Sequence, residues 1–435
     1  MSVINYIAIS TQALSSIFFI GATGYFLKLG SRELQALARI NVSVFTPSLL
    51  FSKISRSLDR ETLYDLWLIP ILYLVLGAAG LEWTRLGGRF FGLTDAFRRL
   101  CSVAVYFSNV NTILIPIIEG IAASPDSRFL LRDRDDTPQK MADRAIAYGM
   151  IIGIMNNLLR WSVGVAIMTP PKSEDSCPAT SRESSAYAPS PSFEGAACGI
   201  RTTVDEHTDL LAEEAARTSS SAVSRSTASG HMRLVCTRIW NAVRQCLTPP
   251  LCAVVVALLV VLVPPLQHAL LQHGSYTYCV WMAIDTCGQA CIPATLLALG
   301  AQLAIKRSPE PQSSQGISTT ERYVSERDQN RGIVLVVLGR FVVVPLCCCI
   351  VLLSIHRFAP WLVPLLRADP MLFLTLAIVS ATPPAVNLLT VAQKVKMYEG
   401  ESARILSYSY AIGMFVLSVE VSVFLYLASL LSSGA

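Results

Sequence analysis

Residues 382–389, TPPAVNLL, set two adjacent prolines and an asparagine in the middle of an apolar run that extends from 370 to 392. A helix needs about 20 mainly apolar residues to cross the hydrocarbon of a bilayer. Pro383 and Pro384 remove two backbone donors and clash with the preceding turn, so a helix built on this run must break near its centre. In hydrocarbon the freed carbonyls and amides are tolerated only where they face protein or a watery cavity. The break also exposes the N-terminus of a half-helix, whose amides and dipole favour an anion. Asn387 adds a side-chain donor and acceptor beside it. The run 100–123 has similar ingredients, Asn109-Val110-Asn111 followed by Pro116. One proline in a membrane helix usually does no more than kink it. Two Pro/Asn breaks meeting at mid-membrane make a site for a small carboxylate without a fixed positive charge, built from Asn109, Asn111, Pro116, Pro383, Pro384 and Asn387.

The rest of the chain agrees with a membrane setting. Of its 435 residues 52% are apolar and 15% charged, with a mean hydropathy of +0.50. Soluble domains carry about a quarter charged residues, so a water-soluble protein is excluded, as is disorder over most of the chain. A net charge of +5 and the lack of a basic stripe interleaved with aromatics give no reason to expect nucleic acid. The 12 cysteines sit mostly in apolar runs such as Cys347-Cys348-Cys349, without CxxC pairs or clustered histidines. Neither zinc, nor a disulfide framework, nor a cofactor is signalled. HExxH, GxGD and paired membrane aspartates are also missing, so an enzyme is not expected.

Ten runs are candidate spans: 5–28, 34–54, 64–83, 100–123, 145–168, 249–271, 278–304, 331–355, 370–392 and 403–430. The first is too long for a cleaved signal peptide and lacks its basic n-region and A-x-A site. Five spans occupy 1–168 and five occupy 249–435, the latter interrupted by a polar loop at 305–330. Between them, 169–248 is polar. From Pro170 to Gly230 it is rich in Ser, Thr, Pro and acidic residues without apolar periodicity, the composition of a disordered loop. From His231 to Leu247, Arg233, Arg238 and Arg244 alternate with Leu234, Val235, Ile239, Trp240 and Val243, which suits an amphipathic helix lying on the membrane surface.

The basic residues orient the chain. With the N-terminus outside the cytosol, the cytosolic connections and adjoining helix ends hold 23 Lys and Arg against 10 opposite, and 15 against 10 without the long loop. The positive-inside rule therefore puts both termini in the lumen or outside the cell and the long loop in the cytosol. Two sets of five spans necessarily run in opposite directions, the inverted-repeat plan of secondary transporters. Point matches support it: FTPSLL (45–50) in span two against CIPATLL (291–297) in span seven, and the Pro/Asn segments of spans four and nine. Ser48 and Thr295, beside the prolines of the first pair, either face substrate or hydrogen-bond their own helices.

Four charges lie within spans: Arg160, Asp285, Arg340 and Glu420. Such charges are costly and are read first as functional. Arg160 suits snorkelling or the capping of a neighbouring helix end. Arg340 and Glu420 differ in depth by about two helical turns, so they meet only through long side chains or a bridging water. Structural pairing of Asp285 and Glu420 competes with a proton-coupling role. Lys53, ending span two, either attracts an anion at the non-cytosolic mouth or snorkels to the interface.

The stretches NVSVFTPSLLFSKIS (41–55), FSNVNTILIPII (107–118), LRWSVG (159–164), TPPLCAVVVALLVVLVPPLQ (248–267), IPATLLALGAQL (292–303) and TPPAVNLLTVAQ (382–393) together resemble the auxin efflux carrier family, and within it the fungal PIN-like branch. They follow the family's order and cover the chain apart from the two polar loops. The resemblance implies an all-α polytopic protein with ten transmembrane helices in two inverted five-helix repeats. Helices 1, 2, 6 and 7 would form a scaffold, the other six a transport unit, and broken helices four and nine would cross at the substrate site. It further implies alternating-access transport of indole-3-acetate-type organic anions, a homodimer through the scaffold helices, and residence in the endoplasmic reticulum rather than the plasma membrane. Carried onto this chain, the crossover residues are Asn109, Asn111 and Pro116 on one helix and Pro383, Pro384 and Asn387 on the other. Pro116 comes two residues later after Asn111 than in the family's pattern. Two alternatives share the fold: a ligand-binding regulator that does not transport, and a Na⁺-coupled organic-anion symporter, for which the spans lack carboxylate-rich clusters.

Overall fold

A computed structural model of the chain describes residues 3–27, 29–58, 60, 63, 66–133, 135–169, 248–272, 274–304, 324–395 and 397–433. The expected disordered loop and amphipathic arm lie outside the described residues, as does most of 305–330. The regular structure of the described residues is helical, with turns and short connections between helices and an isolated bridge between Ser108 and Pro384. In chain order the helices are α1 (Val3–Leu27), α2 (Ser31–Ile40), α3 (Thr46–Ser57), α4 (Leu68–Phe90), α5 (Asp95–Tyr106), α6 (Val110–Ala123), α7 (Pro138–Leu159), α8 (Val165–Met168), α9 (Pro249–Leu262), α10 (Pro264–Leu271), α11 (Tyr276–Gln289), α12 (Cys291–Ala304), α13 (Glu326–Leu338), α14 (Val344–Phe358), α15 (Pro364–Ala368), α16 (Pro370–Ala381), α17 (Leu388–Val395) and α18 (Glu399–Ser433).

Helix occupies every apolar run of the sequence. Among the described residues, seven continuous helices are long and apolar enough to cross a membrane, eight if α9 and α10, bent by 105° at Val263, count as one. The bend arises from Pro264-Pro265, since a residue before proline is driven out of the helical region; Val263 has φ −114° and ψ 86°. Runs four and nine are not continuous. Each is a pair of short helices, α5 with α6 and α16 with α17. Pro383-Pro384 thus breaks its helix as the sequence requires.

Other prolines are absorbed. A π-helical turn at Asn41–Phe45 joins α2 to α3 just ahead of Pro47, and another at Gly339–Val343 joins α13 to α14 just ahead of Pro345. In each, the amide donates five residues back, Thr46 to Asn41 and Val344 to Gly339, so the wider turn carries the chain past a residue with no N–H. Helix ends also overrun the apolar runs. Helix α13 begins at Glu326, inside the expected polar loop, because Glu326 and Asp328 suit the positive end of its dipole. Helix α7 begins at Pro138, capped by Thr137, whose hydroxyl accepts from the Lys140 amide at 3.2 Å.

Burial centres on the short helices. Every residue of α16 from Met371 to Ala381 is buried, as are Ile113, Leu114, Ile115, Ile117 and Ile118 of α6. Against these pack α7, α14 and α18 around α16, and α1, α7 and α12 around α6. Helices α1 and α12 approach backbone to backbone. A Cβ added at Gly24 would strike the Leu297 carbonyl, and one at Gly300 the Gly21 carbonyl, the use of small residues that packing in lipid favours.

Candidate functional site

The two breaks lie against each other. Between α5 and α6 the chain runs through Phe107-Ser108-Asn109, and between α16 and α17 it runs through Thr382 to Asn387. The Asn109 amide donates to the Pro383 carbonyl at 3.0 Å, and the Ala385 amide donates to the Phe107 carbonyl at 2.9 Å. The backbone groups that each break frees are therefore satisfied largely by the other break, in a two-residue antiparallel bridge.

Side chains from three further helices take up the remaining carbonyls. Asn156 of α7 donates Nδ2–H to the Ser108 carbonyl at 2.6 Å, and its Oδ1 accepts from Tyr73 of α4 at 3.0 Å. Tyr410 of α18 donates its hydroxyl to the Pro384 carbonyl at 3.0 Å and accepts from Asn109 Nδ2 at 2.6 Å. Arg340, 2% exposed, serves both broken helices. Its Nε and Nη2 donate to the Thr382 carbonyl, Nη2 also to Val379 at 3.3 Å, and Nη1 to Val105 at 3.1 Å. Val105 and Val379 lie in the last turns of α5 and α16, where carbonyls lack helical partners and the dipole is negative. One guanidinium compensates both ends.

The opposite ends are treated differently. Helices α6 and α17 begin at the crossing, with amides carrying the positive ends of their dipoles. Asn109 is the N-cap of α6, yet its side chain is spent on Tyr410 and makes no capping bond. Thr112 is buried in the first turn. The side chain of Asn111 lies outside the described residues. Asn387 is half-buried just ahead of α17, and its carbonyl accepts from the Val391 amide at 3.1 Å. Two cavities adjoin. One of about 30 Å³ is lined by Tyr73, Ser108, Arg340 and Ser380 and has room for about one water. A larger one, about 390 Å³, is walled by apolar side chains of α1, α6, α12 and α18, including Ile17, Ile113, Leu296 and Met414, and reaches Tyr410.

The other residues expected at the site are scattered. Pro116 is not at the break but seven residues into α6, inside an intact helix. The break forms earlier because partners for its freed backbone exist only where Pro383 to Ala385 lie. Thr295 hydrogen-bonds its own helix, donating to the Cys291 carbonyl at 2.8 Å, and accepts from Asn41 Nδ2 at 2.6 Å. Ser48, half-buried, is where α3 meets Gly288 of α11 at close range. Lys53 pairs with Glu119 of α6 at 3.2 Å. Asp285 accepts from Gln289 on its own helix at 2.8 Å. Arg340 makes no ion pair with Glu420 among the described residues, and Glu420 Oε2 is buried without a hydrogen-bond partner. Arg160 is 5% exposed, too buried to snorkel, and among the described residues it caps no neighbouring helix end; its Nη1 donates to Asn157 Oδ1 at 3.2 Å.

Tyr73, Asn156 and Tyr410 escaped the sequence reading. An asparagine within an apolar span, Asn156, was the one signal available; tyrosines are common in spans and mark nothing by themselves. A second cluster also escaped it. Asp369, fully buried, caps α16 through the Met371 amide at 3.0 Å and accepts from Arg144 at 2.8 Å and Tyr148 at 2.7 Å. Here Asp369-Pro370 is a readable helix-start signal.

Residues 9–421 match the sequence family described as membrane transport protein, Mem_trans. The chain is 28% identical over 400 residues to an uncharacterized transporter of Schizosaccharomyces pombe, covering 87% of this chain and 85% of that one. It is 23% identical to an uncharacterized transporter of Saccharomyces cerevisiae, covering 91% and 88%. Protein PIN-LIKES 3 of Arabidopsis thaliana is 20% identical over 438 residues, covering 97% of each.

Proposed function

The chain belongs to the Mem_trans family of membrane transport proteins, and with that as the premise we propose that it carries small organic anions of the indole-3-acetate type by alternating access. The observation that carries this reading is the asymmetry of the crossing. The negative ends of α5 and α16 are compensated by Arg340, while α6 and α17 turn their positive ends to the same place. An anion offsets that field, and the amide N–H groups of a helix start suit carboxylate oxygens. Asn109, Asn111 and Asn387 stand at those starts, and the half-buried Asn387 would add a side-chain donor. Pro383 and Pro384 hold the break open. Ser48 and Thr295 would belong to the stationary wall.

In this reading each pair of short helices counts as one crossing and the bent pair as another. That gives ten crossings in two inverted repeats, with substrate bound where broken helices four and nine meet. Movement of one helix group past the other then exposes the crossing to each side in turn. The charge distribution supports cytosolic placement of the long loop, with both termini lumenal or extracellular. That loop, the longest polar segment here, is short beside the central loops of the plasma-membrane members of the auxin efflux carrier family, which supports the endoplasmic reticulum, and pairing of two copies through the scaffold helices completes the proposal.

The test is uptake of labelled indole-3-acetate into sealed proteoliposomes, with Asn387→Ala beside the native chain. Saturable uptake that Asn387→Ala abolishes supports the carrier and its site. Saturable uptake that survives moves the site away from α17. Saturable binding without uptake shows instead a ligand-binding regulator, and uptake that requires Na⁺ shows a symporter.

A further inference from the structure

Two arginines are buried beside the crossing, and their circumstances differ. The Nε edge of Arg340 grips the Thr382 carbonyl, and Glu420 lies within its electrostatic reach. Arg160 opens the π-helical turn Arg160–Gly164 that succeeds α7. Its Nη1 reaches Asn157 Oδ1 at 3.2 Å, and its guanidinium carbon lies 5.8 Å from the centre of the Phe107 ring. Its Nε is buried with no hydrogen-bond partner. The ionisable groups that bear on it are the phenols Tyr73 and Tyr410, with no carboxylate between them. Among the described residues it makes no ion pair.

A guanidinium so placed is expensive to bury, because the donors it turned to water are not all replaced and its charge is not balanced. A merely structural arginine would have its donors satisfied, as those of Arg340 are. The placement also matters. Asn156 and Arg160 are four residues apart and share a helix face, and Asn156 fixes that face on the Ser108 carbonyl. Phe107, under the Arg160 guanidinium, is the first residue of the same break. Beyond it begins α6, whose positive end has the same sign as Arg160. An anion held near both would be stabilised by each.

We propose that Arg160 is the fixed counter-charge of the substrate site, its Nε edge receiving the carboxylate of a monocarboxylic acid. That edge presents two parallel N–H groups, the geometry that holds a carboxylate in bidentate fashion. The proposal rests on the reading of the crossing as an anion site, and it replaces the sequence expectation of a site without a fixed positive charge. The site then selects for the ionised acid: a neutral compound of the same shape leaves the arginine unpaired.

Two measurements on the purified full-length protein test this. The first is equilibrium binding of indole-3-acetate and of its neutral analogue indole-3-acetamide to the native chain, Arg160→Met and Arg160→Lys. Native protein should prefer the acid by at least about tenfold. Arg160→Met should lose that preference, and Arg160→Lys should retain most of it. The second is the thermal midpoint without ligand. Arg160→Met should melt at or above the native temperature, since an uncompensated charge has been removed, whereas Arg340→Met should melt well below it. Acid preference surviving in Arg160→Met overturns the role of Arg160 and leaves the anion site standing. A ligand-free Arg160→Met that melts as low as Arg340→Met overturns it also, by showing a structural arginine. Native protein that binds neither probe overturns the anion reading and this inference together.

Discussion

Arg340 and Tyr410 show how single side chains hold a membrane helix that has been cut. The cut exposes carbonyls at mid-span, and each left bare costs about 1–3 kcal/mol. Arg340 covers those of Val105, Val379 and Thr382, while Tyr410 covers Pro384 and takes up Asn109. Arg340→Gln is therefore expected to lower the thermal midpoint more than Tyr410→Phe, because it strands the Val105 and Thr382 carbonyls against one, the Val379 carbonyl keeping the Thr382 hydroxyl at 2.9 Å. Scanning fluorimetry of both variants in one detergent checks the order. Tyr410→Phe also frees Asn109 Nδ2 and should change substrate affinity more than stability, a difference that binding isotherms read. Arg340 and Asn109 were visible in the sequence as a charge and an amide in apolar runs. Their partners were not, because Val105, Thr382 and Tyr410 are distant in the chain and carry no local signal.

At the scale of elements, prolines differ in outcome, and Pro116 sits inside an intact helix. Pro383-Pro384 breaks a helix, Pro264-Pro265 bends one by 105°, and Pro47 and Pro345 pass through helices widened by π-helical turns. Proline always removes a donor; whether the helix breaks, bends or continues depends on how far nearby backbone can absorb the loss. The glycine contacts between α1 and α12 are another property of elements. Gly300 meets the Gly21 carbonyl and the Tyr25 amide with no space for a Cβ. Gly300→Val must push the helices apart, costing about 1–3 kcal/mol as overpacking does, and should lower the thermal midpoint while leaving the Arg160 and Arg340 surroundings intact. A matched substitution at Gly21, where an added Cβ meets nothing, should have a much smaller effect.

Across the whole molecule, polar clusters tie helices that the chain separates. Asp136, just ahead of α7, pairs with Arg144 at 2.7 Å, and Arg144 reaches Asp369 at the start of α16 at 2.8 Å. Burial by itself would raise the Asp136 carboxyl, but the hydrogen-bonded Arg144 guanidinium outweighs it and holds the group below the usual carboxylate range. A carboxyl depressed in the folded state adds stability at pH values above its unfolded value, and that stability is lost as pH falls through the folded value. The thermal midpoint should therefore decline as pH drops through the acid range below about 4, the usual carboxylate value. Asp136→Asn should have a lower midpoint at neutral pH and a shallower decline.

The sequence by itself determined the membrane setting, the helical class, the apolar runs and the break at Pro383-Pro384. Each depends on properties that a residue carries wherever it sits: hydropathy over a span, a missing N–H, a charge too costly to leave in lipid. The resemblance carried by the same residues was enough for the family. Only the tertiary structure decided that the break of helix four falls at Phe107 to Asn109 and not at Pro116, since a break settles where another chain segment can bond to it. Only the structure separated Arg160 from Arg340. Both read as buried charges in the sequence; three carbonyls meet Arg340, while the buried Nε of Arg160 has no hydrogen-bond partner.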